Sequence, residues 1–98
     1  MKHELKIFPQ YYERVADGTK NFEVRDNIGR DFQVGDIVVF HEWDPEKIAP
    51  TDTAPRGYTG APTLEFKIGY VYSLEKDRVV FSLLPINQAK KPSPKSKS

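Results

Sequence analysis

Apolar residues in this chain recur mostly at every second position, the period of half-buried β-strands. His3, Leu5 and Ile7 alternate with Glu4 and Lys6, predicting a short strand that ends at Pro9. Pro9 suits the first turn of a helix, where its missing N–H would have had no partner. Tyr11, Tyr12 and Val15 then form a one-sided stripe over about two turns, and Gly18 is a natural stop. Phe22 and Val24 alternate with Asn21, Glu23 and Arg25, which predicts a strand with Phe22 and Val24 facing the core. Asn27 to Gly29 reads as a turn, and Gly35-Asp36 as a second one before the strand IVVFHEW. Residues 44–62, DPEKIAPTDTAPRGYTGAP, hold four prolines and two glycines and cannot be regular. Loops of that length in small domains are usually mobile or bind something. Leu64, Phe66, Ile68, Tyr70, Tyr72 and Leu74 alternate to the end of the longest predicted strand, where Gly69 marks a bend or bulge. After a turn at Glu75 to Asp77, Val79, Phe81 and Leu83 form the last strand before Pro85.

Five strands and one short helix cannot hide both faces of a flat sheet behind that helix. Curling the sheet into a barrel removes the difficulty and the free edges. The expected class is therefore mainly β (α+β), a small and mostly antiparallel β-barrel with one helix after the first strand. It occupies residues 1–86, followed by a disordered Lys/Ser/Pro-rich tail at 87–98.

Composition excludes several function classes. The chain has no cysteine, so it carries no disulfide framework, zinc-thiolate site or cysteine nucleophile. His3 and His41 are too few and too far apart in sequence to suggest a metal site, and both read as structural histidines, in the core or at its rim. No apolar run reaches ten residues, and MKHELKIFP has no signal-like apolar region. The expectation is a cytoplasmic monomer with no membrane partner, metal or cofactor. Fifteen Lys and Arg stand against fourteen Asp and Glu, but four lysines fall in KKPSPKSKS at 90–98, which has no acid. Residues 1–89 thus carry eleven basic and fourteen acidic side chains. A body of that balance does not attract polyanions by its overall field, so an anionic ligand requires a local basic pocket.

The stretch GTKNFEVR, Gly18 to Arg25, sets Lys20, Glu23 and Arg25 close together. An arginine fork binds planar or phosphate groups, and a neighbouring carboxylate can fix it in one rotamer. A carboxylate also accepts from the exocyclic amine of a base, and a lysine binds phosphate as a point charge. By spacing alone, Glu23 and Arg25 are better described as the solvated face of a strand.

Gly18, Lys20, Glu23 and Arg25 match the glycine–x–lysine–x–x–glutamate–x–arginine signature of the ASCH (activating signal cointegrator homology) domains. The blocks HELKIFPQYY, RDFQVGDIVVF, EWDP and YTG also resemble a small bacterial and phage ASCH-like branch of unknown function. The stretch DNIGR departs from the tighter, more basic turn expected there, which leaves the role of that turn open. The resemblance implies a PUA-like β-barrel with a pocket between the signature strand and the long loop, taking RNA or a nucleotide-like molecule. Lys20, Glu23 and Arg25 would line it, with Trp43 and Tyr58 at the two ends of the loop as stacking candidates, although Trp43 reads equally as a cap on the barrel core. Arg30 and Arg56 are further phosphate contacts or solvated loop residues. Some relatives are hydrolases that release the acyl group from a modified cytidine through the signature lysine and a threonine three positions later. That later position is Glu23 here, so Lys20 and Glu23 are the catalytic candidates if the chain is an amidohydrolase. A third alternative is a phage protein that binds a host protein through the long loop.

Overall fold

A computed structural model describes residues 1–47 and 57–86. It contains β1 (Lys2–Ile7), α1 (Pro9–Ala16), β2 (Phe22–Asp26), β3 (Ile37–Glu42), β4 (Leu64–Glu75) and β5 (Arg78–Pro85). The fold is mainly β, a curled five-stranded half-barrel with one short helix. The strand order is β1-β3-β4-β5-β2, with β1 parallel to β3 and every other neighbour antiparallel. The predicted tail at 87–98 lies outside the described residues.

Each strand's burial follows from its side-chain period. His3, Leu5 and Ile7 of β1 are buried while Lys2, Glu4 and Lys6 are exposed. Val38 and Phe40 of β3, Ile68 of β4 and Val79, Phe81 and Leu83 of β5 complete the concave core, which Phe32 and Val15 of α1 close. Phe40, Phe81, Ile68 and Val38 are the largest fully buried side chains. Pro9 opens α1 as expected, and the Tyr12 hydroxyl donates to the Pro62 carbonyl at 2.7 Å, tying the helix to the end of the long loop. Burial, and secondly the nearby Glu42 carboxylate, push the Tyr12 phenol above its ordinary range.

Two expectations are corrected. β4 bulges at Gly69, as the sequence suggests, and therefore does not keep the single parity that its alternating residues imply. A register shift between Ile68 and Val71 lets the strand gain a residue at Gly69, so Leu64, Phe66 and Ile68 face inward, followed by Val71. Tyr70, Tyr72 and Leu74 consequently lie on the outside. A Cβ at Gly69 would stand 2.8 Å from Leu84 Cδ1 and 2.9 Å from Ser82 Oγ, so a larger residue would have to push those side chains aside. The second correction concerns β2, where Phe22 and Val24 are 45% and 39% exposed while Glu23 is 6% exposed. Pairing of Glu23 with Phe81 and of Arg25 with Val79 puts the charged residues on the concave side. Val24 instead joins Val80 and Tyr72 in a rung across the outer face.

The ring expected of a barrel is not closed by backbone pairing, because β1 and β2 are the two ends of the sheet. The Glu4 and Lys6 carbonyls of β1 face that seam. Arg25 of β2 donates from Nη2 to the Lys6 carbonyl at 2.6 Å, and Arg30 donates to the Glu4 carbonyl at 3.3 Å. Two guanidinium groups thus stand where a sixth strand would otherwise satisfy β1.

The entrance to β3 is fixed by a separate polar cluster. The Asp36 carboxylate contacts His3 Nε2 at 2.8 Å and accepts from the Gln33 amide at 3.1 Å and the Met1 amino group at 3.2 Å. Asp36 therefore does shape the turn, as its sequence context suggests, and it also anchors β1. Burial pulls its carboxyl upward, but the hydrogen bonds from His3, Met1 and Gln33 outweigh burial and hold it below the ordinary carboxylate range. A carboxyl depressed in the folded state contributes stability above its unfolded value, which is lost as pH falls through the folded value. Urea midpoints are therefore expected to hold between pH 7 and 5 and then fall below about pH 4. In Asp36→Asn the overall stability should be lower and this acid-side loss smaller; equal slopes in both proteins would remove Asp36 as its source.

Candidate functional site

The seam that the arginines bridge is also where the molecule is hollow. A cleft of about 570 Å³ is lined by Glu4, Leu5 and Lys6 of β1, Arg25 and Asp26 of β2, and Arg30 and Phe32 beyond it. His41 and Glu42 of β3 form another side, with Tyr58, Gly60 and Ala61 from the end of the long loop. A second hollow of about 380 Å³ adjoins it, sharing Lys6, Arg25 and Asp26 and adding Phe8, Tyr11, Glu23 and Arg78 among others.

The signature residues meet as a charge triad. Glu23 accepts from Lys20 Nζ at 2.6 Å through Oε1 and from Arg25 Nε at 2.6 Å through Oε2. The Glu23 side chain is 7% exposed, against 20% for Lys20 and 26% for Arg25. Both oxygens of this enclosed carboxylate meet cations, which offsets the cost of burying it. The triad holds one more positive than negative charge and orients Arg25 at the wall between the two hollows. Lys20 also donates to the Phe22 carbonyl at 2.8 Å and lies 5.0 Å from the centre of the Phe22 ring. It lines neither hollow.

The loop contributes through a closed neck. Trp43 and Tyr58 form an antiparallel bridge, the Asp44 amide donates to the Gly57 carbonyl at 2.7 Å, and Thr59 Oγ1 donates to Glu42 at 2.6 Å. Lys6 Nζ sits 4.8 Å from the Trp43 ring centre and 5.8 Å from that of Tyr58. Trp43 in turn stacks against Phe8 at 6.3 Å. The two aromatic candidates therefore part ways, since Tyr58 lines the larger hollow and Trp43 supports the neck behind Lys6. Arg56 and residues 48–56 of the loop lie outside the described residues.

His41 stands at the rim, half-buried, with Nε2 2.6 Å from Glu4 Oε1. Arg30 reaches the cleft because Asp26 Oδ1 accepts from the Ile28 amide and the Arg30 amide donates to the Asn27 carbonyl, folding the DNIGR turn back toward β1. Glu4, Lys6, Phe8, Asp26 and Glu42 were not singled out by sequence reasoning. The polar residues of β1 read only as the wet face of a strand, and nothing in the pattern says that β1 lies across a seam from β2.

Formally the larger hollow presents Lys6, Arg25 and Arg30 against Glu4, Asp26 and Glu42. The three carboxylates already accept from His41, the Ile28 amide and the Thr59 hydroxyl respectively. Such a lining offers both donors and acceptors to a small ligand and differs from the uniformly basic stripe that holds a duplex. No group of three or more His, Cys, Asp or Glu side chains suited to a metal occurs among the described residues, and no helix among them is long and apolar enough to cross a membrane. No curated protein matches the chain. The model of a family described as a domain of unknown function (DUF3850) matches residues 2–83, from the first residue of β1 into β5, and the chain belongs to that family.

Proposed function

We propose that the protein is an RNA- or nucleotide-binding module of ASCH type, with the ligand seated in the cleft between β1, β2 and the end of the 44–62 loop. The observation that carries this reading is the convergence of Arg25, Arg30, Lys6 and Tyr58 on one hollow of nucleotide-compatible size. Guanidinium groups suit a phosphate, Tyr58 offers an aromatic face to a base, and the carboxylates can accept from exocyclic amines. Arg30 gives the cleanest test, because its side chain is exposed and makes one long hydrogen bond. Arg30→Ala is expected to weaken binding of a short RNA or nucleotide about tenfold, with thermal stability changed little. NMR shift mapping with nucleotides and short RNAs checks the site. Shifts confined to the outer face of β4 and β5 would reject it.

The amidohydrolase alternative has less geometric support. The Lys20 ammonium is engaged by Glu23 and the Phe22 carbonyl, whereas a nucleophilic amine needs its lone pair free for the substrate. Release of the acyl group from acylated cytidines that disappears in Lys20→Ala would reinstate it.

A further inference from the structure

Resting on that reading, we infer that the ligand is a single strand lying across the wall between the two hollows, with at least one internucleotide phosphate over Arg25 and Lys6. A free mononucleotide would fill only one side.

The two hollows are contiguous, since Lys6, Arg25 and Asp26 line both. Each has its own aromatic surface. Tyr58 belongs to the larger, while Phe8 and Tyr11 belong to the smaller and lie 6.3 Å apart with their rings 29° from parallel. Phe8 and Tyr11 are 44% and 46% exposed, so part of each ring is accessible beside that hollow. The order along the seam is aromatic, cation pair, aromatic, which matches base, phosphate, base in a dinucleotide step. Arg25 can serve the phosphate because its bonds to Glu23 and the Lys6 carbonyl use Nε and one Nη2 proton and leave the guanidinium's other N–H groups for a ligand. Asp26 at the same wall is turned to its own backbone, accepting from the Ile28 amide at 3.2 Å. The balanced charge of the cleft admits one phosphate between two cations and disfavours a row of them, so a strand crosses the seam briefly instead of tracking a groove.

Isothermal titration of the full chain with uridine monophosphate, the dinucleotide UpU and the tetranucleotide U4 tests this. Affinity is expected to rise about ten- to hundredfold from UMP to UpU and little further to U4. The salt dependence for UpU should be shallow, near the slope of about −0.7 expected for one phosphate contact on a single strand. Phe8→Ala should lower the UpU affinity more than the UMP affinity and so narrow the gap between them. Tyr11→Ala, on the exposed face of α1, provides the same test without disturbing the Phe8–Trp43 stack. Equal affinity for UMP and UpU would overturn the spanning strand and leave the binding module standing. No measurable binding of any of the three would overturn both.

Discussion

Glu23→Ala is expected to lower the stability of the folded protein by about 2–3 kcal/mol, a large share of what a domain of this size possesses. Removing one partner of a buried ion pair leaves an uncompensated charge in low dielectric, and here one deletion strands two cations. Lys20 and Arg25 keep 20% and 26% of their side-chain exposure, so water moderates the penalty below the range seen for fully enclosed pairs. Without the carboxylate, Arg25 also loses the contact that fixes its Nε and holds Nη2 on the Lys6 carbonyl, so the seam between β1 and β2 loosens with it. Urea denaturation reads the effect as a midpoint lowered by about 1–2 M. Glu4→Ala serves as the comparison, because the Glu4–His41 pair is 59% and 35% exposed and its loss should fall within about 0.5 kcal/mol. If the two variants lose equally little, the triad is an ordinary solvated cluster and Arg25 is not held in place by it.

The same triad marks where sequence reasoning succeeded and where it stopped. The grouping of Lys20, Glu23 and Arg25 was legible, because residues two and three apart around the start of a strand can meet. Their face was misread. Alternation shows that a strand has two faces and cannot say which one is inside, and the usual choice puts Phe22 and Val24 in the core. That choice fails when the inward charges satisfy one another and the edge strand borders a cleft instead of a packed layer. The bulge at Gly69 defeated the outward-inward reading of β4 in a similar way, since one inserted residue reverses every position after it. The strands, the helix and the long loop followed from periodicity and from proline and glycine placement, which are local properties. The seam is non-local: Lys6 and Arg25 are nineteen positions apart and joined by a side chain to a carbonyl, a contact for which the sequence carries no periodic signal.

Gly57→Ala is expected to cost about 2–3 kcal/mol and to disturb the proposed ligand cleft as well. Gly57 adopts φ of +89°, a conformation that costs an alanine roughly 1–2 kcal/mol by itself. A Cβ there would also lie within the van der Waals shell of the Trp43 indole nitrogen, so the ring must move. Trp43 cannot shift alone, because it bridges to Tyr58, stacks on Phe8 and supports the Lys6 ammonium. Displacing it therefore moves the aromatic and the cation that the cleft presents, so the nucleotide binding proposed above should weaken along with stability. Trp43 is the only tryptophan in the chain, so its fluorescence reports the neck directly and should shift to longer wavelength in the variant. Gly60→Ala separates the two causes, since Gly60 has φ of +84° but no atom within 4 Å of the added methyl group. It should show backbone strain of about 1–2 kcal/mol and an unchanged emission maximum. Identical spectra and stabilities for the two variants would mean that the crowded indole does not fix the neck, and that Tyr58 is held in the cleft by the loop's hydrogen bonds alone.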